Sequence, residues 1–320
     1  MKFRFLIFIF IIIYCSTEAR QTDLTPTVPA DTAESFIQAD SIQVFGNEKT
    51  NDLIILRELT FRQGDKVRYA DLNYNRERIY SLGLFTDVQI IPDAGRNRII
   101  IAVEESWYFW PIPFVNLKDN SLDRATYGMN VSYKNFRGMN ETITASVGMG
   151  YDPYAAVEYI SPWFIKERNI SLSASLAYMK IYNKNSQAEQ LAGGPFSQKV
   201  ISGGVTLGKR LDIFNVIGIS AGFDYLESPK EVLGLNAEKG RFDRILKAGV
   251  LYNYDSRNLK QFPDSGLYFY ASAMQKGFGI KDVNYTLLSA DYRQYVPIIG
   301  GLSVKWRLAT KFVLGENIPF

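Results

Sequence analysis

The sequence predicts two fold classes in series: a small α+β domain near the N-terminus, followed by an antiparallel transmembrane β-barrel. Three observations predict this. Residues 37–106 mix short apolar runs with two stretches of helical period. From Tyr108 onward the helical period disappears and apolar residues alternate with small polar ones. Cys15 is the single cysteine, so no disulfide framework holds the chain, and stability must come from packing or from a bilayer.

Residues 1–19 are expected to be an export signal, outside the fold. Lys2 and Arg4 precede the apolar run from Phe5 to Tyr14, and Thr17 and Ala19 are spaced for cleavage. That run is too short to cross a bilayer as a helix, which needs about 20 apolar residues. The bulky Tyr14 before Cys15 argues against a lipoprotein signal. Residues 20–36 are polar and proline-containing, as a flexible leader would be.

Chemistry is tightly bounded by composition. The formal charge of +3 falls to +2 once Lys2, Arg4 and Glu18 are removed, too mild to predict a nucleic-acid partner. With no histidine and no cysteine after the signal, histidine triads, histidine metal sites and thiolate nucleophiles are excluded. Glu104 and Glu105 are adjacent carboxylates, but strand neighbours point to opposite faces, so a solvated strand end is expected. No enzyme, cofactor or metal is expected.

Within residues 37–106, Ile42 to Asn47 gives a short strand and a turn, and "NDLIILREL" a helix with Ile55, Leu56 and Leu59 on one face. A second helix is predicted from Tyr69 to Ser81, with Leu72, Ile79 and Tyr80 apolar and Gly83 at its C-terminal end. Strands Asp87 to Ile91 and Arg98 to Val103 follow, joined by the turn-rich "PDAGRN".

The alternation beyond Tyr108 is clearest where Ile143, Ala145, Val147 and Met149 oppose Thr144, Ser146, Gly148 and Gly150, and where Ile217, Ile219, Ala221 and Phe223 oppose Gly218, Ser220, Gly222 and Asp224. About eleven strands are expected, most near the length a tilted strand needs to cross the hydrocarbon layer. A soluble sandwich would turn the apolar face inward; a membrane barrel turns it toward lipid. The small polar opposite face and the tyrosines at strand ends, Tyr151, Tyr178, Tyr225 and Tyr254, favour the barrel. Connections after odd strands are the longer ones, near 181–199 and 226–245, as expected for extracellular loops; the exception is 255–265.

At the boundary, "WYFWPIPFV" places Trp107, Tyr108, Phe109 and Trp110 where amphipathic rings suit a water–lipid interface. Pro111 and Pro113 each remove a backbone donor, which suits an edge strand. This would be the first barrel strand, at a closing seam weakened by missing hydrogen bonds.

In their order, "VFGNEKT", "RELTFRQGD" and "RIYSLGLFTDVQI" resemble the POTRA domain, the periplasmic module of the BamA/TamA outer-membrane assembly superfamily. Within "YNYDSRNLKQFPDSGLYFYA", Asp255, Arg257, Pro263 and Gly266 look like the D-x-R…P-x-x-G turn of that family's barrels, although Pro, Asp, Ser and Gly favour any hairpin. The resemblance covers residues 37–320, with the POTRA-like module at 37–106 and the N-terminal part of a barrel at 107–320. It implies a protein of the outer membrane of a Gram-negative-type bacterium with the module in the periplasm. Such a protein receives unfolded outer-membrane protein clients and inserts them by strand pairing at a lateral seam.

Under that resemblance Trp107, Tyr108, Trp110, Pro111, Pro113 and Phe114 form one side of the gate, the alternative being a structural first strand with interfacial anchors. Val88, Gln89 and Ile90 form a client-binding edge strand in the module. Expected partners are the clients, accessory lipoproteins, periplasmic chaperones and outer-membrane lipid. The alternatives are a polypeptide translocator of the two-partner secretion type and a passive porin. The resemblance implies an even count, on the order of sixteen strands, and an Arg-Gly-Phe/Tyr loop signature. The chain is therefore expected to carry an incomplete barrel.

Overall fold

The computed structural model describes residues 7–10, 35–183, 185–228, 236, 240–280, 283–299 and 302–316. Most of the expected export signal, residues 20–34 of the leader, most of the loop expected near 226–245 and the terminal 317–320 lie outside the described residues. The backbone of β1 (Ile7–Phe10), inside the segment read as a signal, pairs antiparallel with Arg307–Thr310.

The α+β module follows. β2 (Phe36–Gln38) pairs antiparallel with β4 (Lys66–Arg68) in a two-stranded sheet whose strands are too short to show a period in sequence. β3 (Ser41–Phe45), β5 (Phe85–Asp93) and β6 (Arg98–Glu105) form a sheet in the order β3-β6-β5, with β3 parallel and β5 antiparallel to β6. α1 (Asp52–Leu56) starts where the Asn51 side chain accepts the Leu53 N–H at 3.0 Å, satisfying one orphan donor. α2 (Tyr69–Tyr80) ends at Ser81, and Gly83 follows at φ +68°.

Ile54, Ile55, Ile79, Leu84, Val88, Ile99 and Ile101 are each at most 1% exposed and make one core between the helices and the sheet. Each contributes about 2 kcal/mol of burial. Period-two spacing on β6 puts Ile99, Ile101 and Val103 on the same face, while Tyr80 on α2 is turned outward.

Eleven strands then form one continuous antiparallel wall: β7 (Phe109–Leu117), β8 (Ala125–Phe136), β9 (Glu141–Gly150), β10 (Tyr154–Ile165), β11 (Ile170–Tyr182), β12 (Ser197–Arg210), β13 (Asn215–Glu227), β14 (Phe242–Asp255), β15 (Gly266–Ile280), β16 (Val283–Ile299) and β17 (Leu302–Glu316). α3 (Ser186–Ala192) lies in the β11–β12 connection. Neighbours in sequence are neighbours in the sheet throughout, and the sheet is not closed: β7 ends it on one side, and β17, with β1 against it, on the other.

Register sorts the side chains into two faces. One transverse row reads Val131, Ala145, Val157, Leu176, Gly203, Phe223 and Leu246; the next reads Asn130, Ser146, Ala156, Ala177, Ser202, Asp224 and Ile245. On the apolar face no second sheet covers the wall among the described residues: Leu176, Ile219, Val250 and Leu308 are 48–61% exposed. A surface of this extent is stable against acyl chains and not against water, which excludes the sealed sandwich.

On the polar face, residues that composition alone would leave unpaired are matched. Asp224 accepts from Ser202 Oγ and Lys247 Nζ, both at 2.6 Å, and Asp291 takes bidentate bonds from Arg293 and Arg307.

Candidate functional site

The module sits against one end of the wall. Four described turns there, all after even-numbered wall strands, contact it, which supports the sidedness inferred from loop length. In the β8–β9 turn, Gly138 accepts the Asn51 N–H at 2.9 Å. Near the β10–β11 turn, the Arg57 guanidinium lies 4.7 Å over the Trp163 ring, and the Pro162 carbonyl accepts from it. Beyond β12, the Ile213 carbonyl accepts from Arg78 Nη2 at 3.0 Å.

The long β14–β15 turn explains the one exception to the loop-length rule. It is long because it reaches α2: Asn258 donates to Glu77 Oε2 at 2.9 Å, Lys260 N–H donates to Ser81 Oγ at 2.9 Å, and Ser256 O accepts from Tyr74. Burial pushes the Glu77 carboxyl above its usual range, the Asn258 donation opposing.

The turn motif is assembled there. Asp255 holds Arg257 in a bidentate pair at 2.8 and 2.9 Å, and Arg257 covers the Tyr268 ring at 4.8 Å. Gly266 sits at φ +100°, where a Cβ would lie 2.3 Å from the Ser256 carbonyl, and Pro263 is buried. Asn258 was not singled out in sequence, yet it closes the turn by accepting from Asp264 and Ser265 and donating to Asp264. Its signal is an Asn inside a Pro/Gly-rich hairpin.

At the centre of this interface Glu58 is shared by two arginines. Arg78 Nη2 reaches Oε2 at 2.8 Å, and Arg210 Nη1 reaches Oε1 at 2.7 Å. Arg57 adds its charge at 3.9 Å, beside a cavity of about 240 Å³ between module and wall. Burial opposes ionisation of Glu58, but Arg210 and then Arg78 outweigh it and hold the carboxyl below its usual range. Burial, with Arg210 repelling and Glu58 attracting, lowers Arg57 to about 10. Arg57, Glu58 and Arg78 lie within the stretches that carry the POTRA resemblance, but nothing local links them to one another or to Arg210, 152 positions beyond Glu58.

A second knot lies at the junction. Glu105 accepts Thr50 N–H at 2.7 Å and Thr50 Oγ–H at 2.6 Å, while Asn135 Nδ2 donates to Thr50 Oγ1 at 2.8 Å. Glu105 is thus an anchor for the chain before α1 and not the solvated strand end expected.

Tyr108 belongs to the same knot. Its hydroxyl is 3.2 Å from Thr50 Oγ1 and its ring is 5% exposed within the module core, which corrects its assignment to the seam. The phenol is para to the ring's attachment point, so a buried ring with a paired hydroxyl fixes the chain before β7.

The remaining gate residues fall around the end strand. Trp107 precedes β7, is 67% exposed and bonds the Phe109 carbonyl; Trp110 Nε1 donates back to the Trp107 carbonyl at 2.8 Å. Pro111 and Pro113 lie opposite Val131 and Met129, on the apolar side of the wall. Trp110, Ile112 and Phe114 alternate onto the opposite side, where Phe114 stacks on Tyr154 at 5.9 Å. β7 is therefore apolar on both faces, unlike the strands that follow it.

In the module, β5 is an edge strand that among the described residues pairs only with β6. Val88 is buried at 1%, Gln89 points to solvent and Ile90 packs against the core, so a docking strand would meet this edge through backbone groups.

The sequence profile described as the Omp85 superfamily domain matches residues 135–318, and that described as POTRA, surface antigen variable number repeat, matches residues 38–106. No curated protein matches the chain. Among solved structures, BamA from Haemophilus ducreyi lacking POTRA domains 1–3 is similar at TM-score 0.50 and 19% identity, over 86% of this chain and 54% of that one. CdiB from Escherichia coli is similar at TM-score 0.51 and 9% identity, over 88% of this chain and 55% of that one. The chain thus spans about half the length of the solved structures it resembles.

Proposed function

This chain belongs to the Omp85 superfamily, and on that premise we propose that it serves as an outer-membrane assembly factor. In this reading its module stands in the periplasm and its wall in the outer membrane of a Gram-negative-type bacterium. Unfolded β-barrel clients arrive on the module side and are inserted by pairing with the free edge of β7. The observation that carries the reading is that edge: an end strand with two prolines and apolar side chains on both faces.

A client strand entering lipid unpaired would leave backbone groups unsatisfied at several kcal/mol each. An edge that supplies partners lowers that barrier. Lys134 N–H bonds the Tyr108 carbonyl, so the even positions of β7 face β8, while Pro111 and Pro113 remove two donors from the free edge and a strand docked there is held loosely enough to be released. Backbone pairing along Val88, Gln89 and Ile90 gives the client, a periplasmic chaperone or an accessory lipoprotein a first foothold. The function involves no bond-making chemistry and no cofactor.

A second reading, a polypeptide translocator of the two-partner secretion type, draws on the polar wall face. Its row of Ser, Asn and paired charges suits passage of an unfolded chain through water. Depletion discriminates. Broad loss of outer-membrane barrels is the expected result; loss of one secreted polypeptide would favour the translocator, and altered solute uptake alone would leave only a porin.

The edge itself has a separate check. A photoreactive residue at Val115, 66% exposed on β7, is expected to capture client strands, while the same residue at Ile219 in the middle of the wall captures none. Equal capture at both positions would remove β7 as the insertion edge.

A further inference from the structure

The cavity between module and wall opens on the polar face. Arg210 of β12, Val216 of β13 and Asn253 of β14 stand in one row along it, on the same period-two set as Asp224. All of its lining side chains belong to the described residues. Its charged lining is Arg57, Arg78, Arg210 and Lys260 against Glu58 and Asp255. Both carboxylates are already occupied: Glu58 accepts directly from Arg78 and Arg210, and Asp255 holds Arg257 in its bidentate pair.

Arg57 is left short of acceptors. A guanidinium carries five N–H donors. Among the described residues the Arg57 side chain makes one hydrogen bond, a long one of 3.5 Å to the Pro162 carbonyl, and Glu58 Oε1 stays 3.9 Å from its Nε. Trp163 covers the guanidinium at 4.7 Å, and the side chain is 14% exposed, so bulk water satisfies it poorly. Its lowering to about 10, by burial and by Arg210, reflects the same shortage of negative charge. Lys260 is exposed, and its ammonium has no partner among the described residues.

Size and lining narrow the ligand. About 240 Å³ is smaller than the roughly 300–1,000 Å³ of most small-molecule pockets, so one short group fits and a whole cofactor does not. Ile54, Leu82, Ile213 and Phe214 make much of the remaining lining apolar. That suits a carboxylate on a methylene stem, whereas a free inorganic anion gains nothing from apolar contact. The opening on the polar face serves a polypeptide in water and not a lipid headgroup.

We propose that this cavity binds the carboxylate of an acidic side chain on an unfolded polypeptide, with Arg57 as its principal donor and Lys260 beside it. The proposal rests on the reading that clients arrive on the module side.

The test is fluorescence anisotropy of a labelled, C-terminally amidated Gly/Ser peptide carrying two aspartates, against the same peptide with asparagines, on the detergent-purified full chain. The aspartate peptide is expected to bind at least about tenfold more tightly. Arg57→Gln is expected to abolish that preference, and Arg57→Lys to keep part of it. Lys260→Gln, at an exposed side chain outside the ties that seat the module, is expected to reduce it about threefold. Arg68→Gln removes the same charge from an exposed site on the module and is expected to leave the preference intact. Limited proteolysis across the junction verifies that the module stays seated in each variant.

Equal binding of the two peptides, or a preference that survives Arg57→Gln, would overturn the proposal. So would displacement of the aspartate peptide by equimolar inorganic phosphate, which would leave a free-anion site. The assembly reading fails separately: an Arg57-dependent preference in cells whose barrels survive depletion keeps the cavity and removes the assembly role, and equal binding in cells that lose their barrels removes the cavity alone.

Discussion

Glu58→Ala is expected to weaken the hold of the module on the wall by about 3 kcal/mol or more, because it leaves Arg78 and Arg210 facing each other without their shared counter-charge. The three side chains are 9%, 4% and 16% exposed, so water replaces the lost carboxylate poorly. The measurement is limited proteolysis across the module–wall junction, with the apparent melting temperature of the module followed separately. Cleavage as slow as in the parent chain would remove Glu58 as the central tie.

A companion variant isolates the charge effect. Glu58→Met with Arg78→Leu and Arg210→Met removes all three charges, and it is expected to recover most of the loss, since an apolar replacement of a buried ion cluster is often near neutral. The pH dependence follows from the lowered carboxyl. Relative to the ordinary value of 4.5, Glu58 titrates lower in the docked state, so its contribution is complete above that value and is lost as pH falls through the lowered one. In the Glu58→Ala chain this acid-labile component is absent.

The second large effect is expected from Gly138→Val. Gly138 adopts φ +72°, and a Cβ there would lie 2.1 Å from the Lys49 carbonyl oxygen, a backbone atom that cannot rotate away. A β-branched residue adds left-handed strain on top of that collision. The turn must withdraw, which breaks the Asn51–Gly138 hydrogen bond and pulls Asn135 from Thr50. Together these changes are expected to cost about 3 kcal/mol.

Hydrogen exchange at the Asn51 amide reads the effect directly and should accelerate by about two orders of magnitude. Gly64→Ala serves as the control, because Gly64 has φ +95° but open space around its missing Cβ. If the two variants exchange alike at Asn51, backbone strain and not the close approach is responsible, and the β8–β9 turn is not a docking point.

Much of the architecture is legible from local pattern. The alternation of Ile217, Ile219, Ala221 and Phe223 against Gly218, Ser220, Gly222 and Asp224 reappears as the two faces of β13, because a strand's side-chain period is fixed by backbone geometry. The helix from Tyr69 is bounded correctly because its breaker, Gly83, is local. The turn motif Asp255, Arg257, Pro263 and Gly266 is legible for the same reason. The β2–β4 pairing is not, since its three-residue strands contain less than two full periods and β3 and α1 lie between them.

The sequence by itself determined the two-part fold, the strand-by-strand alternation and which ends carry long connections, because each depends on residues within about a dozen positions of one another. Tertiary structure alone decided that Glu58 ties Arg78 to Arg210, that Tyr108 is buried in the module while Trp107 is exposed, and that the β14–β15 turn is long in order to grip α2. Those contacts join residues as much as 152 to 182 positions apart. Which side chains meet at such distances is set by how the module is seated on the rim, and no local period encodes it.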